Sequence, residues 1–114
     1  MKTVIVPVDF SETSTNAAHY AAKILKGHDE VELILYHLYE KDDDAIYSQE
    51  KLESLNKELA VYPSAKISVL AEKGDDFIDE LEKLARHRQA DMIVMGITGR
   101  SALAQVFIGS NTLK

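Results

Sequence analysis

The sequence has no cysteine and no tryptophan, only two prolines and five glycines, and no apolar run near the roughly 18 residues that a membrane-spanning helix needs. Without cysteine the chain can form neither a disulfide framework nor a thiolate centre, which fits a reducing compartment. Met1 and Lys2 lead directly into a short apolar run, a pattern unlike a signal peptide. We therefore expect a cytoplasmic protein that does not bind a membrane.

Positive charge is also scarce. The chain has 13 lysines and arginines against 19 aspartates and glutamates, a formal net charge of −6. A nucleic-acid partner is disfavoured, because neutralising phosphates needs a basic face. Hydrophobic residues at 46% and charged residues at 28% of 114 residues are typical of one globular domain, which we assign to residues 1–114.

Short apolar runs alternate with segments of helical periodicity. The runs are 3–8, 31–37, 66–70 and 91–95, and the helical segments begin near residues 11, 48 and 75. This alternation predicts right-handed βαβ units and an α/β fold with an open parallel sheet. The third run alternates polar and apolar residues and suits a sheet edge, which gives the strand order 3-2-1-4. The chain then reverses direction between strands 1 and 4, where ligands of such sheets bind.

A glycine-rich segment follows the fourth strand without a break. Gly96 and Gly99 open a turn, and Gly109 and Ser110 offer further backbone N–H groups at the predicted start of a helix, an arrangement that suits a phosphate. The alternative is an ordinary glycine-containing connection, since neither a P-loop nor a GxGxxG pattern is present. Asp9 follows strand 1 and should reach the same crevice, although it could instead cap the first helix.

These residues resemble a known family, the universal stress proteins. The start of that family is similar to residues 6–12 (VPVDFSE), and its nucleotide-binding subgroup carries Gly, two residues, Gly, nine residues, Gly, then Ser or Thr, as at 96–110 here. The resemblance implies a Rossmann-like fold of the adenine-nucleotide α-hydrolase type. It also implies a stress-response or regulatory protein that binds ATP, with or without Mg²⁺, and a homodimer.

The same resemblance implies the residues of the nucleotide site. Those matching the base and ribose positions are Pro7, Val8, Asp9 and Leu38, with Leu38 meeting adenine through its backbone. Those matching the loop around the ribose and phosphates are Met95, Gly96, Thr98, Gly99 and Arg100. Those matching the phosphate chain are Gly109, Ser110, Asn111 and Thr112, where Asn111 departs from the more usual valine.

The chain departs from the family after Ser110. Universal stress proteins continue with a fourth helix and a fifth strand, whereas this sequence ends at Thr112, Leu113 and Lys114. The last strand of the sheet is then absent, and strand 4 is left as an open apolar edge that invites pairing. We therefore expect a truncated product of a longer chain, or a second protomer or partner chain that covers this edge.

The sequence leaves three other functions open. For an enzyme, Asp9 and Arg100 are the obvious candidates, no Walker lysine follows the glycines, and no histidine pair has metal-ligand spacing, so we assign no catalytic or metal residues and expect at most a slow ATPase. A flavodoxin-like module would use the hydroxyl-rich run 11–16, which lacks glycine. A receiver-like module would end strand 3 with aspartate, where residues 71–72 are Ala-Glu. His37 lies near the crevice and is interpreted as a packed histidine.

Overall fold

The computed structural model describes residues 2–62, 66–96 and 104–108. Within these ranges the strands are β1 (Lys2–Pro7), β2 (Val31–Tyr39), β3 (Lys66–Lys73), β4 (Met92–Gly96) and β5 (Ala104–Ile108). The helices are α1 (Glu12–Ile24), α2 (Ala45–Glu58) and α3 (Phe77–Arg88), with 3₁₀ turns at Asp42–Asp44 and Leu59–Val61. The second helix begins three residues earlier than expected, directly after the turn at Asp42–Asp44.

The strands form one sheet in the order β3-β2-β1-β4-β5. β1 lies in the middle and pairs in parallel with β2 and β4, so that Val4 is opposite Leu33 on one side and Met92 on the other. β2 also pairs in parallel with β3, which lies at an edge of the sheet. The predicted parallel order 3-2-1-4 is therefore confirmed, together with the edge position of the third strand.

The fifth strand differs from the prediction. β5 pairs antiparallel with β4, with Ile93 opposite Phe107 and Met95 opposite Gln105. The expectation that β4 presents an open edge for another protomer is therefore wrong. The segment 104–108 (AQVFI) is rich in β-branched and aromatic residues, and it satisfies backbone groups that an open edge would leave unpaired. A homodimer stays a prediction, without this edge as its basis.

The hydrophobic core lies on both faces of the sheet. On one face Val4, Val6, Leu33 and Leu35 pack against small residues of α1, leucines of α2 and the first residue of the 3₁₀ turn after it, namely Ala17, Ala18, Ala21, Leu52, Leu55 and Leu59. On the other face Ile5, Ile34 and Tyr36 pack against Leu81 and Leu84 of α3. Since β1 and β2 are buried from both sides, their carboxyl ends are held firmly where a ligand would bind.

None of the helices in the described segments combines the length and apolar character needed to cross a bilayer.

Two adjacent aspartates at the start of α3 have different roles. Asp76 is the N-cap, and its Oδ1 accepts a hydrogen bond from the Asp79 backbone N–H at 3.1 Å, whereas Asp75 lies before the cap and lines the crevice described below. We expect Asp76→Ala to lower the free energy of unfolding by about 1 kcal/mol, the usual cost of losing such a cap. Asp75→Ala removes the same charge near the helix dipole and should cost a few tenths of a kcal/mol or less. Urea denaturation of both variants checks this, and equal losses would contradict the assignment of the cap.

Candidate functional site

A crevice of about 290 Å³ opens at the carboxyl end of the sheet. It lies where the chain leaves β1 in one direction and β4 in the other, the switch point at which open α/β sheets bind ligands. Its lining residues come from the ends of β1, β2 and β4, the start of α1 and the segment before α3: Pro7, Val8, Asp9, Ser11, Ser14, His37, Leu38, Glu40, Asp75, Phe77, Met95 and Gly96. The volume is at the lower end of the range for small-molecule pockets, roughly 300–1,000 Å³.

The structure brings together part of the set predicted from the sequence. The residues in the crevice are Pro7, Val8, Asp9, Leu38, Met95 and Gly96. The predicted residues Thr98, Gly99, Arg100, Gly109, Ser110, Asn111 and Thr112 lie outside the described residues. The ligand-binding role of every one of these residues stays a prediction.

The Asp9 carboxylate lies just before α1 and is not its cap. Ser11 is the N-cap, because its Oγ accepts from the Ser14 backbone N–H at 3.2 Å. Asp9 Oδ1 instead accepts from the Ser11 N–H at 3.0 Å, and the Asp9 N–H donates to Ser14 Oγ at 3.2 Å. Hydrogen bonding from Ser11 lowers the pKa of Asp9 more strongly than partial burial raises it. The crevice therefore holds an ionised, oriented carboxylate at the end of β1.

Phe10 has a backbone conformation that non-glycine residues rarely adopt. Its φ is +68°, in the left-handed region. The Phe10 ring packs on the imidazole of His37, with 4.5 Å between ring centroids, and Lys51 Nζ lies 5.7 Å from the same ring. This packing holds the unusual conformation, which in turn places Asp9 and Ser11 on either side of the bend.

His37, at the end of β2, contacts both the core and the crevice. Its Nδ1 lies 2.7 Å from the Val8 carbonyl oxygen. A carbonyl cannot donate, so Nδ1 carries the hydrogen. The Val8 N–H donates to the Tyr36 carbonyl, also at 2.7 Å, so both backbone groups of Val8 are held by β2. His37 packs as expected, and it also lines the crevice.

Gly96 has a packing role that the sequence interpretation missed. A Cβ at this position would lie 2.4 Å from the Thr13 carbonyl oxygen and 2.9 Å from Thr13 Cγ2. Glycine therefore lets the first turn of α1 lie directly against the end of β4. This contact accounts for glycine at position 96 without any role in ligand binding, although it also shapes the wall of the crevice.

The described lining is acidic and rich in hydrogen-bond acceptors. Asp9, Glu40 and Asp75 bring carboxylates from three different connections, and lysine and arginine are absent from the lining as far as the structure describes it. Among the described residues, no group of three or more histidine, aspartate or glutamate side chains is placed to hold a metal. Phosphate oxygens would be repelled at this end, which suits an uncharged part of a ligand that offers hydrogen-bond donors.

Sequence reasoning missed Glu40, Asp75 and Phe77 as lining residues. They flank the loops after β2 and β3, and loop length and polarity were their only sequence signal.

The profile of the universal stress protein family matches residues 1–114, the full length of the sequence. The chain belongs to the universal stress protein family. The flavodoxin-like and receiver-like alternatives are thereby set aside.

Individual proteins of similar sequence or structure agree with this assignment. Universal stress protein MJ0531 of Methanocaldococcus jannaschii is 29% identical over 125 residues, covering 96% of this chain and 72% of that protein. The crystal structure of protein Rv1636 from Mycobacterium tuberculosis H37Rv superposes with a TM-score of 0.71 at 29% identity, covering 88% of this chain and 74% of the other. A universal stress protein solved in complex with cAMP has a TM-score of 0.68 at 26% identity, covering 81% and 69%.

Proposed function

We propose that this universal stress protein binds an adenine nucleotide, ATP or ADP with or without Mg²⁺, in the crevice between β1 and β4, and acts as a regulatory or stress-response protein in the cytoplasm. The observation that carries the proposal is the meeting of Asp9, after β1, with Met95 and Gly96, at the end of β4, in one crevice at the switch point of the sheet. The cAMP complex of a related universal stress protein supports an adenine nucleotide as the ligand class.

The charges around the crevice suggest how the ligand lies. Glu40 and Asp75 belong to the side of β2 and β3, so a phosphate is disfavoured there. Gly96 begins the glycine segment on the opposite side, beyond β4, where the sequence predicts backbone N–H groups for phosphates. β2 and β4 flank β1, so their axes are about 10 Å apart. We propose that the nucleotide spans this distance, with its base over β2 and its phosphates beyond β4.

We propose binding rather than turnover as the function. Phosphoryl transfer depends on positive groups positioned around the transferred phosphate. The described lining provides carboxylates, hydroxyls, apolar side chains and the imidazole of His37, but no lysine or arginine. Ser11 and Ser14 are already engaged at the start of α1. A slow ATPase is the alternative, and it would require groups such as Arg100 to complete the site.

A homodimer belongs to the same proposal, as the resemblance implies. β3 pairs with β2 alone in the described sheet and so offers an edge that a second copy could use. Light scattering at several protein concentrations measures the state directly, and a single monomer mass throughout would contradict the dimer.

Isothermal titration calorimetry tests nucleotide binding. We expect saturable binding of ATP–Mg²⁺, ADP and cAMP, competition by adenosine, and no comparable binding of an unrelated phosphate compound such as inorganic triphosphate. The contrast with triphosphate follows because Pro7, Val8, Asp9 and Leu38 are proposed to contact the base and ribose, which triphosphate lacks. Mass spectrometry of the purified protein should precede the titration, since retained nucleotide would occupy the site. A folded, nucleotide-free protein that binds no adenine compound would overturn the proposal.

A further inference from the structure

Only one of the two ring nitrogens of His37 has a hydrogen-bond partner among the described residues. Its Nδ1–H donates to the Val8 carbonyl at 2.7 Å, so in the neutral ring Nε2 carries a lone pair and can only accept. Within the described part of the chain Nε2 has no hydrogen-bond partner, and His37 is half-buried in the wall of the crevice. His37, a residue of the crevice wall, therefore has an unused acceptor atom, and its backbone hydrogen bond fixes the tautomer of the ring.

This acceptor is rigidly held. His37 lies within β2, which pairs with β1 on one side and β3 on the other, and its ring packs on Phe10 at 4.5 Å between centroids. The hydrogen bond to Val8 fixes the ring from a third direction. A ligand that binds Nε2 does not have to order the side chain first, so forming this hydrogen bond should cost little side-chain entropy.

The position of β2 indicates which part of the ligand meets this atom. β2 is on the opposite side of β1 from β4, and under the proposed function the base lies over β2. We infer that His37 is a specificity-determining residue: its Nε2 accepts a hydrogen bond from the exocyclic amino group of the base. An amino-bearing base such as adenine then completes the bond. A base with an oxo group at the same position, such as hypoxanthine, places two acceptors against each other.

The test compares adenosine with inosine, which differ in this group. It rests on the proposed function, and nucleosides are used so that phosphate contacts play no part. We expect the wild-type protein to bind adenosine about tenfold more tightly than inosine in calorimetry, the scale of one well-placed hydrogen bond and its mismatch. Equal affinities for the two nucleosides would overturn the inference while leaving the proposed function intact. A wild-type protein that binds neither nucleosides nor ATP would overturn both.

Two variants distinguish recognition of the base by His37 from its hydrogen bond to the Val8 backbone. In His37→Asn the amide nitrogen can replace Nδ1 and keep the bond to Val8, but nothing replaces Nε2, so the preference for adenosine should disappear. The affinity ratio of adenosine to 2′-deoxyadenosine should stay unchanged, because the ribose is not read by His37. In His37→Gln the amide reaches the position of Nε2 and can present either C=O or N–H, so inosine should bind nearly as well as adenosine.

The outcome that contradicts the inference is equally specific. A folded His37→Asn protein that keeps the adenosine preference would mean that His37 only positions Val8. If His37→Asn does not fold, as judged by circular dichroism, His37→Gln decides. A retained preference there overturns the inference, and its loss supports it.

Discussion

Gly96→Ala is expected to lower the free energy of unfolding by about 2–3 kcal/mol, the upper range for forcing an added carbon into a packed site. The new Cβ would lie 2.4 Å from the carbonyl oxygen of Thr13, and a backbone atom cannot turn aside as a side chain can. Either the first turn of α1 or the end of β4 has to move. Because both line the crevice, ligand affinity should fall with stability. Urea denaturation with an unchanged slope would measure the loss.

Two controls show whether backbone contact is the cause. At Gly74 an added Cβ meets Leu38 Cδ1 at 2.9 Å, the far end of a flexible side chain, so Gly74→Ala should cost less than about 1 kcal/mol. Thr13→Ser removes the methyl group that lies 2.9 Å from the Cβ position but leaves the carbonyl oxygen. It should therefore not restore the stability of Gly96→Ala. Full restoration by Thr13→Ser, or a neutral Gly96→Ala, would contradict this account of the residue.

Gly96 illustrates how a motif can be located correctly while its physical role is overlooked. The spacing of glycines places the residue at the end of β4 and in the crevice, as the structure does. Its close contact with Thr13 arises from the crossing of α1 and β4, which are about eighty residues apart in sequence. No local pattern encodes that contact, so the sequence offered ligand binding or an ordinary connection as interpretations, but not this packing.

The order of the parallel strands could be predicted because the residue types in each strand indicate how far that strand is buried. β1 and β2 are nearly all apolar and lie inside the sheet, while β3 alternates and lies at the edge. β5 was missed because residues 104–108 were interpreted through the glycines around them rather than through their own strand-forming composition.

The details of the crevice depend on tertiary contacts. From the sequence Asp9 was a possible cap for α1, whereas in the structure Ser11 is the cap. What separates them is the bend at Phe10, whose left-handed conformation is held by packing on His37 of a different strand. The fixed tautomer of His37 likewise follows from the pairing of β1 with β2, which brings its ring to the Val8 carbonyl. Sequence can nominate such residues, but their geometry follows from the register of the sheet.

Asp9→Ala is expected to weaken binding of adenosine and of ATP by about tenfold to a hundredfold alike, the scale of a hydrogen bond to a charged group. The proposed contact is to the ribose or base, so the loss should not depend on the phosphates. Asp9→Asn is the matched control for the loop, because its amide oxygen can still accept from the Ser11 N–H, now bonded to Asp9 Oδ1 at 3.0 Å. If Asp9→Asn binds as weakly as Asp9→Ala, the negative charge is responsible for the contact with the ligand. If Asp9→Asn restores affinity, the role of Asp9 is to order the turn at Ser11. A loss confined to phosphate-bearing ligands would contradict the assigned role.

The pH dependence of binding provides an independent check on Asp9. Hydrogen bonding from Ser11 lowers the pKa of Asp9 below its ordinary value of 3.8, so the folded protein favours the ionised form. The sign follows from the folded protein: the ionised carboxylate contributes to affinity above its lowered pKa, and this contribution is lost as pH falls through that pKa. The ratio of wild-type to Asp9→Asn affinity for adenosine should therefore stay constant from about pH 7 to about pH 4.5, well above that loss. A ratio that falls with a midpoint near pH 6 would mean that Asp9 does not carry the ionised contact proposed for it.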